Sequence, residues 1–268
     1  MRRWGCALLL TAALASTGCF QLATVVHVKS DASGTIDQRL LFSPAALSQL
    51  TQLSMLGGTN GRPVDPTSEA QARTDAARLG PGATFVSSAP ISDGAWQGRE
   101  SVYAFTNINQ LRVNPQPAAP GDITVRGDGI DSRGKAITFS LAAQPNGNAL
   151  LTIAVPLPEL PSGGLAGSRD AGTSAGQVAT LKQVFGGAHV HIEVEPAGTL
   201  VRTSSPYVNG SRVTLLDVDL DRLLKDETLL PRLQAAKSED EMKAILREAP
   251  GLEITFDRTI TIEFTPRR

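Results

Sequence analysis

The chain has 268 residues, of which 41% are hydrophobic, enough for the core of one large domain or of two compact lobes. Its 25 Gly and 17 Pro promise many turns but stay short of a collagen-like or disordered composition. Charge is nearly balanced, 25 basic against 26 acidic side chains, and becomes more acidic once Arg2 and Arg3 leave with a leader, which excludes a nucleic-acid-binding protein.

Arg2 and Arg3 form a short positive segment, and Cys6–Ala15 follows as an apolar stretch of secretory-signal length, too short to span a bilayer. Residues 1–18 therefore read as a signal peptide. Ser16-Thr17-Gly18-Cys19 resembles the lipobox of bacterial lipoproteins, in which cleavage precedes the cysteine and its thiol takes a diacylglyceryl group. Ser16 stands where that family has Leu, and Ala13-Leu14-Ala15 offers an ordinary signal-peptidase site. A Cys6–Cys19 disulfide fails as an alternative, because Cys6 lies in the segment that is removed. The resemblance implies lipidation at Cys19 with palmitate-type acyl chains, each buried methylene adding about 0.8 kcal/mol of membrane affinity. The implied partner is the membrane itself. Phe20 rather than Asp after the cysteine points to the outer rather than the inner membrane, with the ectodomain in the periplasm or cell envelope.

Leu22–Phe42 reads as a β-hairpin turning at Asp31-Ala32-Ser33-Gly34. Ser43-Pro44 then caps a helix to about Leu56, stopped by Gly57-Gly58. Thr67–Leu79 is an Ala-rich polar helix expected to be exposed, and strands cover Ala83–Ser88 and Glu100–Thr106 with Trp96-Gln97-Gly98 as a turn between them. Asn114–Pro120 and Gly127–Gly134 are connections, and Lys135–Ala142 pairs with Ala149–Val155 around Pro145-Asn146-Gly147-Asn148. Pro156–Ala175, rich in Gly, Pro and Ser, reads as a flexible loop between the N-terminal part (19–155) and the C-terminal part (176–268) of one ectodomain.

In the C-terminal part, Gln177–Phe185 is helical by spacing and Ala188–Glu195 alternates strictly. Strands at Thr199–Thr203 and Arg212–Val218 flank a turn at Tyr207-Val208-Asn209-Gly210. Helices over Leu220–Ala236 and Ser238–Glu248 precede one long alternating strand, Leu252–Phe264. The mixture of hairpins and short helices without βαβ alternation predicts an α+β fold, an antiparallel sheet with several short helices packed on one face.

The order of elements, Cys19 followed by VVHVKSDASGTIDQRLLFSPAAL, WQGRESVYAFTNINQL and VHIEVEPAGTLVRTSSPYVNGSRVTL, resembles the LppM-like lipoproteins of bacteria. Ala32 stands where such proteins often have Gly, and Ser204-Ser205 where Thr-Asn is common. The resemblance implies a lipid-anchored envelope protein with no defined reaction, and lipid as one of the things it could contact.

No catalytic signature stands out: no Ser or Thr has a recognisable base partner, no glycine loop has the helix-plus-Lys arrangement of a phosphate cradle, and the one cysteine left after cleavage is the acylated one. The sharpest cluster is on Ala188–Glu195, where strand geometry puts His189, His191, Glu193 and Glu195 on one face. Two imidazoles and the Glu193 carboxylate could hold zinc, yet alternation by itself accounts for a solvated strand face, which is the reading preferred, with no metal or other cofactor expected. Asp217-Val218-Asp219-Leu220-Asp221 mimics the start of a calcium loop, but Arg222 and Thr228 occupy the positions needing Gly and Glu, so Asp219 or Asp221 is expected to cap the next helix. Trp96 and Tyr103 are expected as core anchors. The function expected is a non-catalytic binding module, the alternatives being a lipid carrier and a metal-dependent hydrolase using His189 and His191.

Overall fold

The computed structural model describes residues 20–56, 65–115, 136–156 and 187–267. The leader, Cys19, the 127–134 turn, the loop beyond Pro156 and the 177–185 helix of the sequence reading lie outside them.

The first hairpin forms as its pattern predicts. Strand β1 (Phe20–Val28) buries Leu22, Thr24, Val26 and Val28 and turns the residues between them outward. It pairs along its whole length with β2 (Gly34–Phe42). The turn is held by the Asp31 carboxylate, which accepts from the Ser33 amide and hydroxyl. Helix α1 (Pro44–Leu56) starts where Ser43 accepts from the Ala46 amide, and its Ala46, Leu47 and Leu50 pack on Leu22, Leu40 and Phe42. Helix α2 (Glu69–Arg78), capped by Ser68, is not the exposed helix its composition suggests, because its small residues let one face sink: Ala72, Asp75 and Ala76 are buried.

Strands β3 (Ala83–Asp93) and β4 (Trp96–Phe105) follow. The turn between them falls at Gly94-Ala95, not at Trp96-Gln97-Gly98, which lies inside β4 and pairs with Asp93, Ser92 and Ile91. After a short 3-10 turn at Ile108–Gln110 come β5 (Arg112–Val113) and the hairpin of β6 (Ile137–Ala143) and β7 (Ala149–Ala154). Next are β8 (His189–Pro196), β9 (Gly198–Thr203), β10 (Val208–Asn209) and β11 (Arg212–Asp219).

The helix expected over 220–236 is broken into α3 (Leu220–Leu223) and α4 (Leu229–Ala235), because the Asp226 carboxylate accepts from the Thr228 amide and hydroxyl and makes a local turn instead. Helix α5 (Glu239–Arg247), capped by Ser238, matches its expected span. The single strand expected over 252–264 is also broken. Its first part, β12 (Leu252–Ile254), pairs with β11, while β13 (Thr259–Pro266) belongs to a different sheet.

The described strands make two sheets. The larger runs β10-β11-β8-β1-β2-β4-β3, with β12 also on β11, and the smaller runs β5-β6-β7-β13-β9. Val26, Ile36, Tyr103, Ile192 and Val194 from the larger sheet and Phe139, Leu151, Ile153, Ile260 and Phe264 from the smaller form one core. Burial of that apolar face is the main force holding the layers together. Most pairs are antiparallel as expected from the α+β reading, but β1 and β8 are parallel, so strands from the two halves of the chain interleave. Tyr103 is a core residue as expected, whereas Trp96 is only partly buried. Among the described residues no helix is long and apolar enough to cross a membrane.

Candidate functional site

The face of the larger sheet turned away from the core carries a run of ionisable side chains. On β8 the odd residues point outward, as the alternation predicts, which aligns His189, His191, Glu193 and Glu195. Parallel pairing sets His189 beside Gln21 and His191 beside Ala23 of β1, so small or neutral residues flank the histidines on that side. On the other side β11 brings Asp217 opposite His191 and Asp219 opposite His189.

Asp217 reaches this face because of a bulge. Between Thr214 and Leu216 the register of β11 slips by one residue. Arg212 and Thr214 face outward before the slip, and Asp217 and Asp219 after it, while Leu215 is swallowed by the core. Unbroken alternation would have put Leu216 and Val218 beside the histidines. The paired leucines Leu215-Leu216 within an alternating strand are the sequence signal of this slip, which a reading of Asp217 only as a mimic of a calcium loop passes over.

Asp217 sits between the two imidazoles. Its Oδ1 is 2.6 Å from His189 Nε2, and its Oδ2 is 3.3 Å from His191 Nδ1. The Asp217 hydrogen bond pushes the pKa of both histidines up, against an opposing push from their partial burial. Burial likewise works against the charged form of Asp217, but the hydrogen bonds from His189 and His191 outweigh it and hold the carboxyl well below the usual carboxylate range. One nitrogen or oxygen from each of His189, His191 and Asp217 lies within 4.8 Å of the others.

Glu193 is not a member of that trio. Its side chain is nearly buried rather than solvated, because it is clasped from both sides: Oε1 is 3.2 Å from His191 Nε2, and Oε2 is 3.5 Å from Arg212 Nη1. Arg212 also holds Glu195 through Nε at 3.0 Å, and Glu195 lies 3.4 Å from Nδ1 of His27, whose Nε2 meets Asp37 at 3.0 Å. The outward face thus carries a continuous polar chain across β11, β8, β1 and β2.

The other two aspartates of the acidic run serve backbone amides. Asp219 caps α3 by accepting from the Arg222 amide, as expected, and Asp221 accepts from the Gly187 amide.

No protein-family model matches this chain, and no curated protein matches it. Among solved structures it is similar to the NMR structure of the folded domain of the Mycobacterium tuberculosis LppM protein, at a TM-score of 0.33 and 8% identity over 94% of this chain and 93% of that one. That is a remote structural relation, which assigns neither a family nor an activity.

Proposed function

We propose that the chain is a lipid-anchored protein of the bacterial envelope, held to the membrane through Cys19, and that its ectodomain is a non-catalytic binding module. The observation that carries this reading is the join between the leader and the fold. The signal-like stretch ends at Gly18-Cys19, and strand β1 begins at the very next residue. The sequence resemblance to LppM-like lipoproteins points the same way.

An acyl anchor on Cys19 leaves no tether between membrane and sheet. β1 is an interior strand, so the end of the larger sheet that holds Phe20, Phe42, Gln97, His189 and Asp219 lies against the lipid surface. The outward face of that sheet, with its ionisable chain, is then a binding surface at the level of the headgroups. Two or more acyl chains make such an anchor effectively permanent.

The test is the mass of the protein purified from membranes, with Cys19→Ala as the control. The expected result is a diacylglyceryl modification at an N-terminal Cys19, and for the variant a soluble or unprocessed chain. An unmodified Cys19 behind a new terminus at Ser16 would refute the anchor.

A further inference from the structure

We propose that His189, His191 and Asp217 form a binding site for a divalent transition-metal ion of the zinc class, with one coordination position left open to solvent. The site stands on the fold alone and does not depend on whether Cys19 is acylated.

The donor set selects the ion. Two imidazole nitrogens with one carboxylate oxygen suit zinc and its neighbours, whereas calcium and magnesium take oxygen cages. An anion is disfavoured, because the Asp217 carboxylate stands at the centre of the cluster. Zinc binds such donors at about 2.0–2.2 Å, so donor atoms already within 4.8 Å of one another need only small side-chain rotations to reach it. Two donors sit two residues apart on an interior strand and the third is opposite on the neighbouring one, so backbone pairing fixes their separation before any ion arrives.

A second observation concerns the far side of His191. Its Nδ1 faces Asp217 and its Nε2 faces Glu193 Oε1. A carboxylate on the ring nitrogen that does not bind metal is the usual way in which a ligating histidine is held in tautomer and orientation. Glu193 is itself nearly buried and clasped by Arg212, so it is a positioning residue rather than a ligand. This accounts for a buried carboxylate that a merely solvated strand face would not require.

Exposure fits three protein ligands and an open fourth position. The His189, His191 and Asp217 side chains retain 40%, 26% and 25% of their accessibility, so an ion held there is reachable by water or by a donor atom from a partner.

The test uses the purified full-length chain and zinc chloride as the only probe. After chelator treatment and exchange into chelator-free buffer, zinc is titrated calorimetrically and bound metal is counted by elemental analysis. One equivalent per chain is expected, with a melting temperature raised by zinc, since an ion that binds only the folded state adds its binding energy to folding. His189→Ala and Asp217→Asn should each weaken binding by roughly tenfold or more, and Glu193→Gln should weaken it measurably. His27→Asn, on the same face but outside the trio, should bind as the parent does. His189 is the most exposed of the three, so its variant folds and carries the test even where Asp217→Asn does not. Binding below one equivalent, binding unchanged in His189→Ala, or an equal loss in His27→Asn would each overturn the site.

Discussion

Arg99 on β4 places Nη2 2.5 Å from Oδ2 of Asp75 on α2, and both side chains are almost wholly removed from solvent. The same guanidinium donates through Nη1 to the Pro66 carbonyl at 3.3 Å, so one arginine ties the start of the α2 segment and its middle to the sheet. The pair is out of water, and its value lies in completeness: Asp75 is also met by Gln71 and Arg78, but without Asp75 the Arg99 guanidinium is a buried charge left with the Pro66 carbonyl. Asp75→Ala should cost about 3–5 kcal/mol in urea unfolding, and the double change of Arg99→Met with Asp75→Leu should cost less than that single one. A loss under about 1 kcal/mol for Asp75→Ala would mean that water reaches the guanidinium.

Ala32 adopts φ of 68°, a left-handed conformation, at the tip of the first hairpin. Its amide donates to the Lys29 carbonyl and its carbonyl accepts from the Ile108 amide, so the backbone there cannot relax away. The conformation costs a non-glycine residue about 1–2 kcal/mol, and glycine gives back about 0.4–1 kcal/mol through its looser unfolded chain, so Ala32→Gly should stabilise by about 0.5–1 kcal/mol. Thermal unfolding of the two proteins side by side is the check, and a lower midpoint for the glycine variant would refute it.

Glu263 on β13 accepts from Asn148 Nδ2, Asn146 Nδ2 and Arg202 Nε, and these bonds hold its carboxyl below the usual range. A carboxyl depressed in the folded state adds stability above its unfolded value of about 4.3, and that stability drains away as pH falls through the lower folded value. Glu263→Gln should therefore be less stable than the parent at neutral pH, with the gap closing as pH falls into the acid range below the ordinary carboxylate value. Melting temperatures across that range decide it; a gap independent of pH would show that shape rather than charge matters at this position.

At Gly98 a Cβ would stand 2.8 Å from the Leu40 carbonyl carbon and 2.9 Å from Leu41 Cα, on the neighbouring strand. The glycine is there for close approach of β2 and β4. Gly98→Ala should lose about 1–3 kcal/mol by chemical denaturation, and a silent substitution would show that the strands can part without cost.

Gly98 also shows where sequence reading stops. A glycine after Trp-Gln looks like a turn until the neighbouring strand is known, because the two uses of glycine differ only in what lies across from it. Local signals served well: the Asp31 turn, the Ser43 cap and the outward alternation of the β8 histidines were all readable. What depended on a distant partner was not. The break between Ile254 and Thr259 is invisible in an alternation that continues through it, since each half keeps the same period while facing a different sheet. The site was half legible for the same reason. Its histidines share a strand, but Asp217 joins them only through a cross-strand register altered by a bulge.

The interleaving of strands also sets a timetable. β1 is the first described strand to be made, yet one of its two neighbours, β8, starts at residue 189; β13, which joins β7 to β9, starts at residue 259. Pairings this far apart in sequence are slow to form, and neither half of the chain can complete a sheet alone. The N-terminal strands thus wait for the last one to be made, and a chain cut short of residue 259 presents β7 and β9 as open edges, ready to pair with other such chains.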